Sequence, residues 1–197
     1  MSVPKGKRGI SEMEFFKLSN DLYDKFEDWL LRDFGIRDKV RKNPATGEAT
    51  EIERFPPWFI EHKRKIILNI LDSYMHEVIT ANTIYPMTYT ELEDRRHHQN
   101  HAIAKLEYLE QFLMRSLTVL PLSKTKSIQY FDLIAHTISI LKLWRKSNSK
   151  IKKILDGSLK RTITAYKSSG DITALMGLGL PNAVLENIVK EGVKAIV

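Results

Sequence analysis

Long segments without glycine or proline, each with apolar residues at helical spacing, most limit how this chain can fold. The 197 residues include only 9 glycines and 7 prolines. In four stretches the apolar side chains recur every three or four residues, which is the period of a helix with one buried face. Because each apolar face must be covered, the sequence predicts an all-α fold, an antiparallel four-helix bundle with a short C-terminal helical extension.

Capping residues and prolines indicate where the predicted helices begin and end. Ser11 with Glu14 three residues later has the pattern of a capping box, so the first helix is predicted from there to about Phe34. Residues 35–57 contain turn signals and are predicted to form a connection with a short β-hairpin. The other three predicted helix starts are Pro56–Pro57, Thr88 or Thr90, and Ser123.

The chain is predicted to divide into three regions. Residues 1–10 are expected to be a flexible basic arm, residues 11–156 the bundle, and residues 157–197 a linker followed by a last amphipathic helix. Gly157 opens this last region because the apolar pattern of the fourth helix fades near Leu155. No run of about 18 apolar residues is present, so no segment is expected to span a membrane. Without a secretory signal or any cysteine, the chain is expected to be cytoplasmic.

Positive charge is concentrated in one segment. The net charge is +7, and residues 142–167 hold nine basic side chains against one carboxylate, whereas the remaining residues include 22 basic and 23 acidic ones. This asymmetry predicts a polyanionic partner such as nucleic acid, although a solvated basic helix end gives the same pattern. The residues predicted first to bind nucleic acid are Lys142, Arg145, Lys146, Lys150, Lys152 and Lys153, and the second set is Arg95, Arg96, Lys63 and Arg64.

A cluster of arginines and histidines, in the sequence EDRRHHQNH, lies near the start of the third predicted helix. His97 and His101 stand one helical turn apart, but a zinc or iron site needs three or four ligands, so neither a metal nor another cofactor is expected. Arg96 and His101 match the short Arg-x4-His signature of the all-helical HEPN ribonucleases. In such a site histidine moves a proton and arginine neutralises charge on the phosphate. A third interpretation is a polar helix end that contacts phosphates or an acidic protein.

Three stretches taken together resemble a known family. They are the opening MSVPKGKRGISEMEF, the segment EDRRHHQNHAIAKLEYLEQFL with its Arg-Arg-x-x-Gln-x-x-Ala-Ile core, and ISILKLWRKSN at the end of the fourth predicted helix. In order and spacing they are similar to the accessory variability determinant (Avd) proteins of diversity-generating retroelements. They also resemble the four-helix-bundle proteins encoded in ribosomal RNA intervening sequences. The likeness covers roughly residues 1–150 and leaves out an insertion at 42–55 and the tail after Gly157.

The resemblance implies a small, basic, non-catalytic bundle that assembles as a barrel-shaped homopentamer. Such a protein binds the reverse transcriptase of the element and its template RNA or cDNA, and supports error-prone cDNA synthesis. By the same resemblance, Arg95 and Arg96 are basic contacts, and Gln99 and Ala102 are helix-packing positions. Trp144 marks the basic end of the last bundle helix, where we expect it to pack in the core rather than to stack a base.

Two alternatives remain beside this function. One is a HEPN-like ribonuclease that works without metal and uses Arg96 and His101. The other is a structural bundle that binds only protein, which would not be retained on RNA in a salt-dependent way.

Overall fold

A computed structural model describes residues 13–32, 34, 36, 39–42, 47, 49–53, 55–120, 122, 124–170 and 172–194. The predicted basic arm at 1–10 and the predicted capping residues Ser11 and Ser123 lie outside these ranges. The predicted all-α helical-bundle fold is confirmed, with one small hairpin added to it. The elements are α1 Glu14–Leu31, β1 Lys39–Lys42, β2 Ala49–Glu53, α2 Pro57–Thr83, α3 Tyr89–Val119, α4 Lys124–Ser169, α5 Thr173–Met176 and α6 Asn182–Lys194.

The chain folds as two compact units. Unit 1 consists of Met1–Met75 and Ile103–Ile140, and unit 2 consists of His76–Ala102 and Leu141–Val197. Helices α2, α3 and α4 therefore each contribute one part to each unit. Among the described residues, no helix combines the length and the apolar content needed to cross a bilayer.

Unit 1 contains α1, the hairpin and parts of the three long helices. Helices α1 and α2 run antiparallel, because Ser19 hydrogen-bonds to Tyr74 while Tyr23, one turn later, donates to Asp72 over 2.6 Å. The ring of Trp29 stacks on that of Tyr130 in α4 with centroids 4.1 Å apart. Burial of a large apolar side chain contributes roughly 1.5–3 kcal/mol, which is why these amphipathic segments pack together. The fully buried apolar residues of α1 in this core are Leu22, Phe26 and Leu30.

The ends of α1 differ from the prediction. Its N-cap is Met13, which makes no side-chain cap hydrogen bond, so the N-cap lies two residues after the predicted Ser11. The hydrogen bonds predicted for Ser11 fall outside the described residues. The helix ends at Leu31, three residues before the predicted Phe34. Phe34 has a φ of 58° and packs its ring 5.2 Å from that of Trp29. The helix therefore stops because Phe34 leaves the helical conformation to enter the core.

The hairpin and the start of α3 follow the sequence prediction. Strands β1 and β2 pair antiparallel, with a register shift between Arg41 and Lys42. At α3, Thr88 Oγ1 accepts from the Glu91 N–H at 3.2 Å, and Glu91 Oε2 accepts from the Thr88 N–H at 3.1 Å. This is a complete capping box, and it selects Thr88 over Thr90 as the cap.

Helix α4 does not end near Leu155 as predicted but continues through Gly157 to Ser169. Leu155 is 5% exposed and Tyr166 is 6% exposed, so the helix is anchored in unit 2 on both sides of the glycine. A single helical glycine costs about 1 kcal/mol, which is too little to end a helix that is packed on either side. The extra turns extend the basic face of α4.

The segment after α4 docks on the start of α3 within unit 2. The Tyr89 N–H donates to the Leu178 carbonyl at 3.0 Å, and Thr90 Oγ1 donates to the Gly179 carbonyl at 2.8 Å. Leu175 is fully buried beside this contact. The predicted last helix is present as α6.

Candidate nucleic-acid interface

The second half of α4 carries a row of lysines on its solvent side. Its inward side is marked by four buried residues, Trp144, Asn148, Leu155 and Tyr166. On the other side, lysines recur every seventh residue. At 3.6 residues per turn they fall within an arc of about 60°, and the first and last are about 31 Å apart along the helix. This lysine row consists of Lys146, Lys153, Lys160 and Lys167, all of them exposed.

The lysine row keeps its positive charge. In the part of the chain that the structure describes, Lys146, Lys153 and Lys167 take part in no ion pair. Asp156, the one carboxylate among residues 142–167, accepts hydrogen bonds from the Tyr89 hydroxyl at 2.8 Å and from Lys152 at 3.0 Å. These bonds, that from Tyr89 first, lower the pKa of Asp156 below its ordinary value. The carboxylate is thus ionised at neutral pH, and it is bound by groups outside the row.

The structure separates the basic residues that the sequence groups together. Lys142 lies in the sector of the lysine row, to which Lys146 and Lys153 belong, whereas Lys150 lies on a neighbouring flank about 70° from the mean direction of the row. Arg145 and Lys152 lie closer to the buried side, where Arg145 donates to Asn100 Oδ1 at 2.7 Å and Lys152 pairs with Asp156. Arg145 therefore links α4 to α3, whereas the pair of Lys152 and Asp156 lies within α4.

Two members of the row, Lys160 and Lys167, are missing from the residues predicted to bind nucleic acid. They were counted in the basic segment, but the helix was predicted to end near Leu155. The seven-residue spacing from Lys146 onward was the signal in the sequence that could have included them. An uninterrupted α4 turns this spacing into one continuous surface.

Arg95 and Arg96, in the second predicted set, make contacts within the protein. The guanidinium of Arg95 lies 5.4 Å from the ring centroid of Trp144, and burial lowers the pKa of Arg95 from its ordinary value. Trp144 is only 7% exposed, which confirms the prediction that it packs in the core. Arg96 Nη1 is 2.9 Å from Glu93 Oε1 on the surface. Arg95 therefore packs against a buried ring, whereas Arg96 makes an ion pair at the surface.

Two of the three histidines of the cluster lie near one carboxylate, and the third stands beside their rings. His98 Nδ1 is 2.6 Å from Glu77 Oε2, and His101 Nδ1 is 3.8 Å from Glu77 Oε1. The rings of His97 and His101 are 4.1 Å apart. Arg96 and His101 are separated by about 140° around the helix, so they leave it in different directions. Within the described ranges no group of three or more side chains is placed to hold a metal ion.

The remaining predicted residues, Lys63 and Arg64, belong to unit 1. Lys63 Nζ lies over the rings of Phe59 and Phe112, at 5.2 and 4.6 Å from their centroids. Arg64 borders a cavity of about 740 Å³ whose wall also includes Phe55 and Asp72. These two cations therefore stand among aromatic and mixed polar side chains and not in a purely basic patch.

Comparison of the chain with known protein families, with curated protein sequences and with solved structures finds no match. Charge, exposure and helix geometry are the grounds on which a function can be assigned.

Proposed function

We propose that this chain is a non-catalytic helical protein that binds nucleic acid through the lysine row of α4. The observation that carries the proposal is the seven-residue repeat of exposed lysines on one side of an uninterrupted helix. Four cations spaced over about 31 Å match the length of roughly nine base pairs, since each base pair advances a duplex by about 3.4 Å.

The row is suited to phosphates and not to bases. The two aromatic residues of its helix segment, Trp144 and Tyr166, are both buried, so neither offers a ring to a base. Contacts to phosphates supply affinity without sequence preference, and each neutralised phosphate changes the salt dependence of binding by about 0.7–0.9 in log–log slope. We expect binding that varies little with sequence and weakens steeply with salt.

Neutralising the row tests the proposal. We expect the Lys146→Ala, Lys153→Ala, Lys160→Ala triple variant to lose about 2–3 units of salt slope on duplex RNA or DNA. The matched control neutralises three exposed cations of α1 and its C-cap: Lys17→Ala, Lys25→Ala and Arg32→Ala. Both variants lose three positive charges, so net charge alone affects them equally. Equal binding by the two variants, with helicity unchanged, would show that the row is not the binding surface.

We further propose that the nucleic acid is the template RNA or cDNA of a retroelement, and that the partner protein is its reverse transcriptase. The support is the order and spacing of the three family-like stretches, together with the surface of α4. In a homopentamer, five copies of the row would raise avidity for one long nucleic acid. Light scattering should give a mass five times that of the monomer, and co-expression with the reverse transcriptase should give a complex that survives purification. A monomer that does not bind the polymerase would contradict this part of the proposal.

A second candidate function, a ribonuclease that works without metal, draws support from Glu77. A carboxylate on Nδ1 holds a histidine in one orientation and one tautomer, which a general acid or base requires. Incubation of the protein with RNA in the presence of a chelator separates the two functions. Cleavage that is lost in His98→Ala or His101→Ala would make the chain an enzyme, whereas intact RNA at high protein concentration would favour the binding protein.

A further inference from the structure

A group of aromatic rings lies on the surface of unit 1, where α2 begins. Trp58 is 68% exposed and Tyr108 is 55% exposed. The rings form two pairs: the centroids of Trp58 and Phe59 are 5.5 Å apart, and those of Phe112 and Tyr108 are 6.5 Å apart. Lys63 joins the two pairs, since its Nζ lies over both Phe59 and Phe112. This aromatic patch is defined as Trp58, Phe59, Tyr108 and Phe112 with Lys63.

Folding alone does not account for the exposure of Trp58. The other two tryptophans of the chain, Trp29 and Trp144, are 8% and 7% exposed, as expected for the largest apolar side chain. Leaving Trp58 and Tyr108 in water gives up the favourable burial of two rings. A contiguous exposed apolar surface often marks a site of interaction with a partner or ligand.

The composition of the patch indicates what it binds. Each of its apolar members is a ring, and the cation that lies between the two pairs of rings is Lys63. Glu61, Glu107 and Glu110 are the carboxylates on the same turns of α2 and α3, so the rings, and not an excess of charge, distinguish the patch. Aromatic faces beside cations are how proteins hold unpaired nucleotides, because every base offers a π face and every nucleotide carries a phosphate.

We propose that the aromatic patch stacks the unpaired bases of single-stranded nucleic acid. It differs from the lysine row, which has no exposed ring and contacts only the backbone. The inference rests on the proposed function, because the ligand is again a nucleic acid. It adds a second binding surface, and the part of the ligand bound there is an unpaired base and not the phosphate backbone. Stacking depends on the ring of Trp58, whereas the row depends on charge.

Tryptophan fluorescence tests the patch directly, because Trp58 is the exposed one of three tryptophans. A 12-nucleotide oligo(dT) should quench the emission of the wild-type protein in a saturable way. Trp58→Leu should remove the quenching and weaken binding roughly tenfold or more, whereas Trp58→Phe should retain most of the affinity. Tyr108→Leu, which leaves Trp58 in place, should weaken binding by a similar factor. Leu143→Ala, at an exposed apolar residue of unit 2, is the matched control and should bind as the wild type does.

The possible results distinguish the aromatic patch from the lysine row. Loss of oligo(dT) binding in Trp58→Leu, with duplex binding retained, supports the patch. Oligo(dT) binding that is unchanged in both Trp58→Leu and Tyr108→Leu overturns the patch and leaves the row intact. A wild-type protein that binds neither duplex nor oligo(dT) overturns the proposed function as well. A blue shift of Trp58 emission with protein concentration, without nucleic acid, would make the patch a contact between copies and would also overturn it.

Discussion

The hydroxyl of Tyr89 donates a hydrogen bond to Asp156 across 2.8 Å, and this links the start of α3 to the basic half of α4. Asp156 is the only carboxylate among residues 142–167, and Lys152 Nζ lies 3.0 Å from it. The same contact therefore stabilises unit 2 and fixes the position of a negative charge beside the lysine row.

Replacing Asp156 by asparagine should strengthen the binding of nucleic acid. The change removes a negative charge close to Lys153 and Lys160, and near a protein surface such a charge alters affinity by roughly two- to threefold at low salt. Equilibrium binding to duplex RNA at two salt concentrations measures the effect, which should shrink at the higher salt. Asp21→Asn, on the exposed side of α1, is the control. An equal gain in both variants would mean that total charge, and not the row, sets the affinity.

The contribution of Tyr89 to stability should disappear at alkaline pH. Burial, followed by the bond to Asp156, raises the pKa of Tyr89 from 10.0 to about 12. Folding therefore favours the neutral hydroxyl, so the stabilisation is complete below pH 10 and is lost as the pH rises towards 12. We expect Tyr89→Phe to lower Tm by a few degrees at neutral pH, and this difference from wild type to shrink above pH 10. A difference in Tm that stays constant from pH 8 to pH 12 would contradict this assignment.

Gly179 should not tolerate even alanine. Its φ is +60°, and an added Cβ would lie 2.9 Å from the Cβ of Thr88 and 3.0 Å from Thr90 Oγ1. We expect Gly179→Ala to cost roughly 1–3 kcal/mol and to detach the segment from the start of α3. Hydrogen exchange of residues 182–190 would then speed up. Gly177→Ala is the control, because Gly177 is helical and its nearest atom would be 3.6 Å away, so that variant should be neutral or slightly stabilised.

The sequence predicts that the helices exist, but it does not predict where all of them end. Apolar spacing predicts the four long helices, and the Thr88 box fixes the start of α3. The end of α1 depends on Phe34 packing against Trp29, and the extension of α4 depends on Tyr166 being buried after Gly157. Both depend on how a side chain packs in the folded unit, which the spacing of apolar residues does not show.

Part of the candidate site can likewise be predicted from the sequence, and part cannot. The charge excess of residues 142–167 is visible in the sequence, as is the seven-residue repeat from Lys146. The sequence does not show which cations are held by contacts within the protein. Arg145, for example, donates a hydrogen bond to Asn100 in another helix. The aromatic patch is not predicted from the sequence, because only the fold shows that Trp58 is exposed and that Lys63 lies over both Phe59 and Phe112.

The buried amides of Gln99 and Asn148 should be coupled in stability. Asn148 Nδ2 donates to Gln99 Oε1 at 2.6 Å between α3 and α4, and the two residues are 1% and 3% exposed. Among the described residues, Gln99 Nε2 and Asn148 Oδ1 have no hydrogen-bond partner. A single hydrogen bond therefore offsets the burial of two amides. The family resemblance implies a packing position at Gln99 but not this pairing with Asn148.

Removing one amide should cost more than removing both. Gln99→Leu or Asn148→Leu alone leaves the other amide buried without its bond, which costs about 1–3 kcal/mol. The double variant buries only apolar atoms, so its free energy of unfolding should exceed that of either single variant. Urea denaturation of the four proteins gives the coupling energy as a double-mutant cycle. If the two losses simply add, the pair does not act as a unit, and the register of α3 against α4 must be set by the surrounding apolar packing.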